Sequence, residues 1–328
     1  MSRPRAALAM SPTTPAAVFD HAARVRLARL VDIDVDAVID DWSQAADAEV
    51  LITGWGAPRI DSATVDRLPK LRAILHSAGT VKTFLDSSVL DRGITVSTAA
   101  EANAIPVAEY TYAAIVFGAK RALPLARRYR AERRSRNLSG LPWLGTNGIT
   151  IGVVGASRIG RRVLGLLQSL NARVLLYDPY LSSTEATGLG ARLCDLDTLL
   201  RDSAVVTLHA PANPETRGLL DARRLSLLRD GAVVVNTARG SLIDHDALLA
   251  ELRDGRIDAI LDVAEPEPPG PDSELYTLPN VLLTPHIAGA LGNETRRLGE
   301  VTVSELARWC SGQPLRHELH VHDWHRIA

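Results

Sequence analysis

Short apolar runs rich in β-branched residues recur along the chain, separated by about 20–30 residues in which apolar positions return at helical spacing. A first series reads as buried strands at Ala6–Met10, Ala48–Ile52, Leu71–His76 and Ile94–Ser97. A second follows at Ile149–Val154, Arg173–Tyr177, Val205–His209, Ala232–Asn236, Ala259–Val263 and Val281–Thr284. Strands alternating with helices in this way build parallel sheets from βαβ units. One series in each half implies two separately wound sheets. Between them, Val107 to Arg136 reads as a long helix, followed by loops at Ser139-Gly140-Leu141-Pro142 and Gly145-Thr146-Asn147-Gly148.

Composition narrows the class. At roughly 150 residues per domain, 328 residues suggest two domains, each able to bury a core. A formal net charge of −1 argues against a protein whose main task is holding nucleic acid. Six arginines between Arg127 and Arg136 mark a solvated helix face or a subunit-packing arm, since no aromatic platform accompanies them. Two cysteines, Cys194 and Cys310, supply no bridged framework and fit a reducing compartment. Ser11-Pro12 interrupts the short apolar N-terminal run too early for a signal segment, and no run reaches the roughly 18 residues of a membrane span. A soluble, cytoplasmic protein is the expectation.

The strongest motif is Ile151-Gly152-Val153-Val154-Gly155-Ala156-Ser157-Arg158-Ile159-Gly160, a buried strand entering a glycine turn with helical periodicity behind it. That context suits a dinucleotide: Gly155 permits the tight turn, Gly160 lets the helix pack closely, and the helix N-terminus faces a pyrophosphate. Ser157 stands where the pattern has its middle glycine; it is small, and its hydroxyl can bond a phosphate oxygen. Gly155, Ser157, Arg158, Ile159 and Gly160 are therefore candidate cofactor residues. The next strand ends at Asp178, 18 residues past Gly160, where a carboxylate accepts from ribose hydroxyls and favours NAD over NADP.

Three polar residues follow the ends of later strands: Arg239 in Asn236-Thr237-Ala238-Arg239-Gly240, Glu267 in Glu265-Pro266-Glu267-Pro268, and His286 in Thr284-Pro285-His286. Ligands of an open parallel sheet bind beyond its carboxyl strand ends, so the three can converge on one ligand. With His209-Ala210-Pro211, the stretch Pro214 to Arg217, Asn103 through Val107-Ala108-Glu109, and Gly231 to Leu252, these residues make the chain resemble the D-isomer-specific 2-hydroxyacid dehydrogenases over nearly its whole length.

The resemblance implies an α/β fold of two doubly wound parallel-sheet domains. A Rossmann-type NAD domain, 103–295, is inserted in a flavodoxin-like substrate domain of residues 1–102 plus 296–328. It further implies a homodimer and catalytic roles for Arg239, Glu267 and His286. Arg239 would grip a substrate carboxylate with its planar fork of donors, and His286 would exchange a proton with the 2-oxo group as hydride moves to or from NAD(H). Glu267 would orient and charge the imidazole. Further cofactor contacts are expected at His209, Ala210, Pro211, Thr237, Ala238 and Asp262; for His209 a structural role competes.

The substrate would be a small 2-oxo or 2-hydroxy acid. His76-Ser77-Ala78-Gly79-Thr80-Val81-Lys82 stands where the family binds the substrate carboxylate, and Ala78, Gly79 and Thr80 can offer backbone N–H groups. Lys82 departs from the family pattern. Phosphite dehydrogenase, of the same superfamily, carries a lysine in a similar loop, which makes a phosphonate- or phosphate-bearing 2-oxo acid such as phosphonopyruvate a candidate beside glyoxylate, hydroxypyruvate and simple 2-oxo acids. Trp55 would line the same cleft. Four histidines, His317, His320, His322 and His325, crowd the C-terminal stretch; a polar tail packed on the first domain is expected there, with no metal. The alternatives are an NADH-sensing binding protein, a metal-dependent hydrolase using the terminal histidines, and an S-adenosylhomocysteine-type hydrolase, for which the substrate-domain segments are missing.

Overall fold

The computed structural model describes residues 3–133, 138 and 144–324. The chain divides into two compact units, residues 1–104 with 290–328, and residues 105–289. Asn103 Oδ1 accepts the Ala290 N–H at 2.9 Å, tying together the places where the chain leaves the first unit and returns to it.

In the first unit, parallel strands β1 (Ala6–Ala9), β2 (Val50–Thr53), β3 (Ala73–His76) and β4 (Thr95–Thr98) lie side by side in that order. Residues 32–38 run along the other edge of β1 through isolated parallel bridges, Arg5 with Asp32 and Leu8 with Val38. Counting that segment, the order is 2-1-3-4-5, the flavodoxin-like winding. The side-chain alternation of each strand feeds two cores. Leu8, Val50, Ile52 and Leu75 pack on one face, and Leu51, Ile74 and Val96 on the other. Helices α1 (Thr14–Val18), α2 (His21–Leu30) and α3 (Ser62–Asp66) connect these strands.

The chain then continues through α4 (Ala100–Ala119) and α5 (Ala122–Glu132) into the second unit's sheet. Its strands are β5 (Thr150–Val154), β6 (Arg173–Tyr177), β7 (Arg192–Leu193), β8 (Val205–Leu208), β9 (Val233–Asn236), β10 (Asp258–Leu261) and β11 (Val281–Leu283). They are ordered β11-β10-β9-β8-β5-β6-β7, all parallel, so the winding reverses between β5 and β8 as in a Rossmann domain. Val154, Val206, Val234 and Leu261 fill one face, and Val153, Val205, Val235 and Ile260 the other. Near-continuous apolar strands are what a sheet covered on both faces requires. Helices α6 (Arg158–Leu167), α7 (Ser183–Gly188), α8 (Leu196–Asp202), α9 (Ala222–Ser226) and α10 (His245–Arg253) flank this sheet, and α11 (Thr295–Cys310) belongs to the first unit.

Three features differ from the sequence reading. The short edge strand β7 has no apolar run to announce it. The helix expected over Val107–Arg136 begins earlier, at Ala100, and breaks at Arg121, which takes a left-handed φ of 50°. The break lets the Arg121 side chain turn inward, where it pairs with buried Asp258 at 2.9 Å. The arginine-rich stretch is engaged locally: Arg127 donates to the carbonyls of Leu278 and Val281, and Arg128 to Glu132 at 2.9 Å. Arg134, Arg136 and the loop from Ser139 to Pro142 lie outside the described residues.

The C-terminal tail packs on the first unit. Leu319 N–H donates to Val96 O at 2.7 Å, and buried Glu305 of α11 accepts from the Ser97 hydroxyl and from the amides of Arg316 and His317. His320 and His322 stack ring on ring, 5.4 Å apart. Among the described residues no group of three His, Cys, Asp or Glu could hold a metal, and no helix is long and apolar enough to cross a membrane. His325 lies outside the described residues.

Candidate active site

The glycine turn between β5 and α6 is held by backbone contacts that leave no room for side chains. Gly155 has φ +96°, and a Cβ there would stand 2.7 Å from the Ala210 nitrogen. A Cβ on Gly160 would lie 2.2 Å from Gly155 O, so helix and turn touch directly. Ser157 caps α6, its hydroxyl accepting the Gly160 N–H at 3.3 Å. The first turn of a helix presents N–H groups without intrahelical partners and the positive dipole end, which suits a pyrophosphate at Arg158 and Ile159. Asp178, at the end of β6, accepts the Ala156 N–H at 2.7 Å and the Tyr180 N–H at 2.9 Å. Its carboxylate is thereby held beside the turn, where a ribose would lie.

His209 is buried, with Nε2 3.0 Å from Thr207 Oγ1, and burial drives its pKa down to about 3. This neutral ring packs beneath the turn: its Cβ would lie 3.2 Å from a Cβ on Gly160. Ala210 and Pro211 follow it, and Pro211 O accepts from the Thr216 hydroxyl at 2.5 Å.

The three polar candidates stand beyond the ends of β9, β10 and β11. Asn236 organises the first of these loops, its side chain accepting from Ala238 N–H and donating to Arg239 O. A Cβ on the next residue, Gly240, would sit 2.1 Å from Ala264 C, so the loop after β9 lies directly on the loop after β10. Arg239 is half-buried and forms no ion pair among the described residues; Nη1 donates to Ala238 O at 2.6 Å. Burial lowers its pKa, the Glu267 charge opposes that shift, and the guanidinium stays charged at neutral pH.

His286 Nδ1 lies 2.5 Å from Glu267 Oε1. An ionised carboxylate only accepts, so Nδ1 carries the proton and Nε2 is left for a ligand. The neighbouring Glu265 turns away to pair with Arg217, which separates the roles of two glutamates only two positions apart. His286 itself sits at a left-handed φ of 55°. Asp262, 1% exposed, stabilises this loop: Oδ1 accepts from the Thr284 hydroxyl at 2.6 Å and Ile287 N–H at 2.8 Å, Oδ2 from Ala288 N–H at 2.8 Å, and its backbone oxygen from His286 N–H at 3.0 Å. Thr237 bonds Thr111 of α4, and Tyr110 of α4 bonds Thr284. Sequence reasoning missed Asn236, Thr284, Tyr110 and Thr111. An Asn at a strand end is a turn signal that would have found the first; hydroxyls on a helix give no comparable cue.

In the first unit, Trp55 follows β2 and the loop 77–82 follows β3, at the carboxyl ends of neighbouring strands. Ala78 is buried, and Gly79 and Thr80 are half-buried. His76 is buried under this loop against Thr53 Oγ1 (3.0 Å) and the Phe84 ring; burial lowers its pKa to about 3 despite a hydrogen bond to the Thr80 backbone. Lys82 N–H donates to Thr80 Oγ1 at 3.3 Å, folding the loop on itself.

The family model for the D-isomer specific 2-hydroxyacid dehydrogenase, NAD binding domain, matches residues 113–288. The chain belongs to this family. The second unit is accordingly its NAD-binding domain. A D-3-phosphoglycerate dehydrogenase of Archaeoglobus fulgidus is 33% identical over 80% of this chain and 50% of its own. An (S)-sulfolactate dehydrogenase of Chromohalobacter salexigens is 32% identical over 91% of this chain and 98% of its own. The chain thus spans about half the length of the phosphoglycerate relative and nearly all of the sulfolactate one. Among solved structures, a phosphoglycerate oxidoreductase from Rhizobium etli superposes with a TM-score of 0.79 at 26% identity, covering 96% of this chain and 97% of its own.

Proposed function

We propose that the protein is an NAD(H)-dependent dehydrogenase that interconverts a three-carbon 2-oxo acid, carrying a second oxyanion on carbon 3, with its D-2-hydroxy acid. The observation that carries the chemistry is the 2.5 Å contact of His286 Nδ1 with Glu267, whose charge also acts on the half-buried Arg239 guanidinium. Bound NADH supplies the hydride. Arg239 grips the substrate carboxylate and polarises the 2-oxo group. His286 holds a proton on Nε2 and gives it to the carbonyl oxygen as hydride arrives, taking it back in oxidation; Glu267 accepts from Nδ1 and fixes the plane of the ring. Gly155, Ser157, Arg158, Ile159 and Gly160 would receive the pyrophosphate, Asp178 the ribose, and the loops at Ala210-Pro211 and Thr237-Ala238 the rest of the cofactor. Asp262 has its carboxylate committed to the loop after β11, which suits a supporting role more than a carboxamide contact.

For the substrate, Lys82 adds a cation to a loop whose Ala78, Gly79 and Thr80 amides suit a carboxylate. The named substrates of two relatives, 3-phosphoglycerate and sulfolactate, share this double charge on three carbons. They also share one hand: sulfur raises the sulfomethyl group above the carboxyl in priority, so the (S) label of sulfolactate denotes the same arrangement as D in phosphoglycerate. A homodimer is part of the same proposal; exposed Phe117 and Tyr129 on α4 and α5 would be covered by the second copy.

A panel of 3-sulfopyruvate, 3-phosphohydroxypyruvate, phosphonopyruvate, hydroxypyruvate, glyoxylate and pyruvate, followed by NADH oxidation, tests this reading. The doubly charged acids should give the highest kcat/KM, and Lys82→Ala should raise their KM about tenfold, a loss of about 1.4 kcal/mol, while sparing pyruvate. An equal effect on pyruvate would remove the second oxyanion from the proposal. Tight NADH binding with no turnover of any acid would favour a sensor.

A further inference from the structure

Two adjacent residues of α4 each hold a residue two positions ahead of a candidate catalytic side chain. Thr111 Oγ1 lies 2.7 Å from Thr237 Oγ1, two residues before Arg239. Tyr110 Oη lies 2.8 Å from Thr284 Oγ1, two residues before His286. The supply of protons fixes the direction of both bonds. Thr111 already donates to Val107 O at 2.7 Å, so Thr237 donates to Thr111. Thr284 already donates to Asp262 at 2.6 Å, so Tyr110 donates to Thr284. Burial and the nearby Asp262 charge both raise the Tyr110 phenol's pKa, keeping it a donor.

We propose that Tyr110 and Thr111 are positioning residues: through Thr284 and Thr237, α4 acts as one rest for both loops and sets where the His286 imidazole and the Arg239 guanidinium meet the substrate. The inference rests on the functional reading above, in which those two groups act on one molecule. Its force comes from the loops themselves. A histidine at φ 55° is held against its own backbone preference and persists only while its surroundings impose it. Asp262 imposes it from one side by accepting the Thr284 hydroxyl and the Ile287 and Ala288 amides, and Tyr110 imposes it through Thr284 from the other. Thr111 is fully buried and Thr237 nearly so, hence their bond has no water to replace it.

The test uses the full chain with Tyr110→Phe, Thr284→Val, Thr284→Ser, Thr111→Val and Thr111→Ser. Three quantities are read: kcat with the best 2-oxo acid of the panel, the NADH Kd, and amide exchange by mass spectrometry in peptides covering 236–240 and 284–289. Tyr110→Phe and Thr284→Val should each lower kcat about fivefold, the rate worth of one hydrogen bond of about 1 kcal/mol, with NADH Kd changed less than about twofold. Exchange should quicken in 284–289 and not in 236–240. Thr111→Val should do the converse in exchange with a similar fall in kcat, and both serine variants should behave as wild type. Unchanged exchange in both loops overturns the proposal, as does a fall in NADH affinity that parallels the fall in kcat. If the wild-type chain turns over no acid, the functional reading fails, whereas the exchange data still decide whether the two hydroxyl clasps hold their loops.

Discussion

Asp178 accepts the Ala156 N–H that shapes the glycine turn, and in the proposed function its carboxylate also receives the ribose. Replacing it with Ser removes the charge that repels a 2′-phosphate, so the kcat/KM ratio of NADH to NADPH should fall by at least about tenfold. Because the turn loses an acceptor, the NADH affinity should fall too. An unchanged ratio would take the ribose contact away from Asp178. At this scale the candidate site was legible where chemistry and position coincide: Arg239, Glu267 and His286 are charged or titratable residues just past apolar strands, and few roles other than ligand contact suit them together. Tyr110, Thr111 and Thr284 were not legible, since a hydroxyl on a helix or beside a proline serves packing as readily as alignment, and the pairing partner is far away in sequence. Asp262 reads from sequence as a cofactor contact, and its carboxylate accepts from Thr284, Ile287 and Ala288 of the loop after β11.

At the scale of the element, α6 carries two glycines with opposite requirements. A Cβ on Gly160 would meet Gly155 O at 2.2 Å, whereas a Cβ on Gly165 meets nothing within 4 Å on the exposed face of the same helix. Gly160→Ala should therefore push the helix off the turn, costing the NADH affinity about thirtyfold or more, about 2 kcal/mol, and lowering Tm. Gly165→Ala should raise stability by about 0.5–1 kcal/mol through helix propensity, leaving NADH affinity unchanged. Calorimetry and cofactor titration on the pair would check both, and a wild-type affinity for Gly160→Ala would show that the close contact is dispensable. The main strands were legible because a sheet buried on both faces needs uninterrupted apolar runs. Strand β7 and the segment 32–38 were not: each pairs over only one or two positions at a sheet edge, too short for a periodic signal. The helix break at Arg121 also escaped: Gly118 and Pro124 stand three residues to either side of it, but the residue that turns is an arginine whose partner, Asp258, is distant in sequence.

At the scale of the whole molecule, each unit carries a buried neutral histidine, His76 in the first and His209 in the second, with pKa lowered by burial from 6.5 to about 3. His245 is shifted in the same direction, again chiefly by burial. Below pH 6.5 the unfolded chain takes up protons that these folded rings refuse, so the stability they contribute is present above pH 6.5 and is lost as the pH falls toward 3. The slope is about 1.4 kcal/mol per pH unit for each fully shifted ring. Urea midpoints should thus drop steadily from pH 6.5 to 5, before carboxylates begin to titrate, and His209→Asn should flatten that dependence. A flat midpoint in the wild-type protein would contradict the burial of these rings.

The two-sheet plan was legible from the repeated alternation of strands and helices, and the family resemblance implied that one domain interrupts the other. The Asn103–Ala290 clasp gives that interruption a material meaning. Since a single hydrogen bond spans the gap left by the inserted unit, a bridge of very few residues would close the first unit's chain at small entropic cost. The cofactor module is wired in like a cassette between two adjoining terminals, an arrangement by which evolution can exchange one such module for another while the first unit keeps its connectivity.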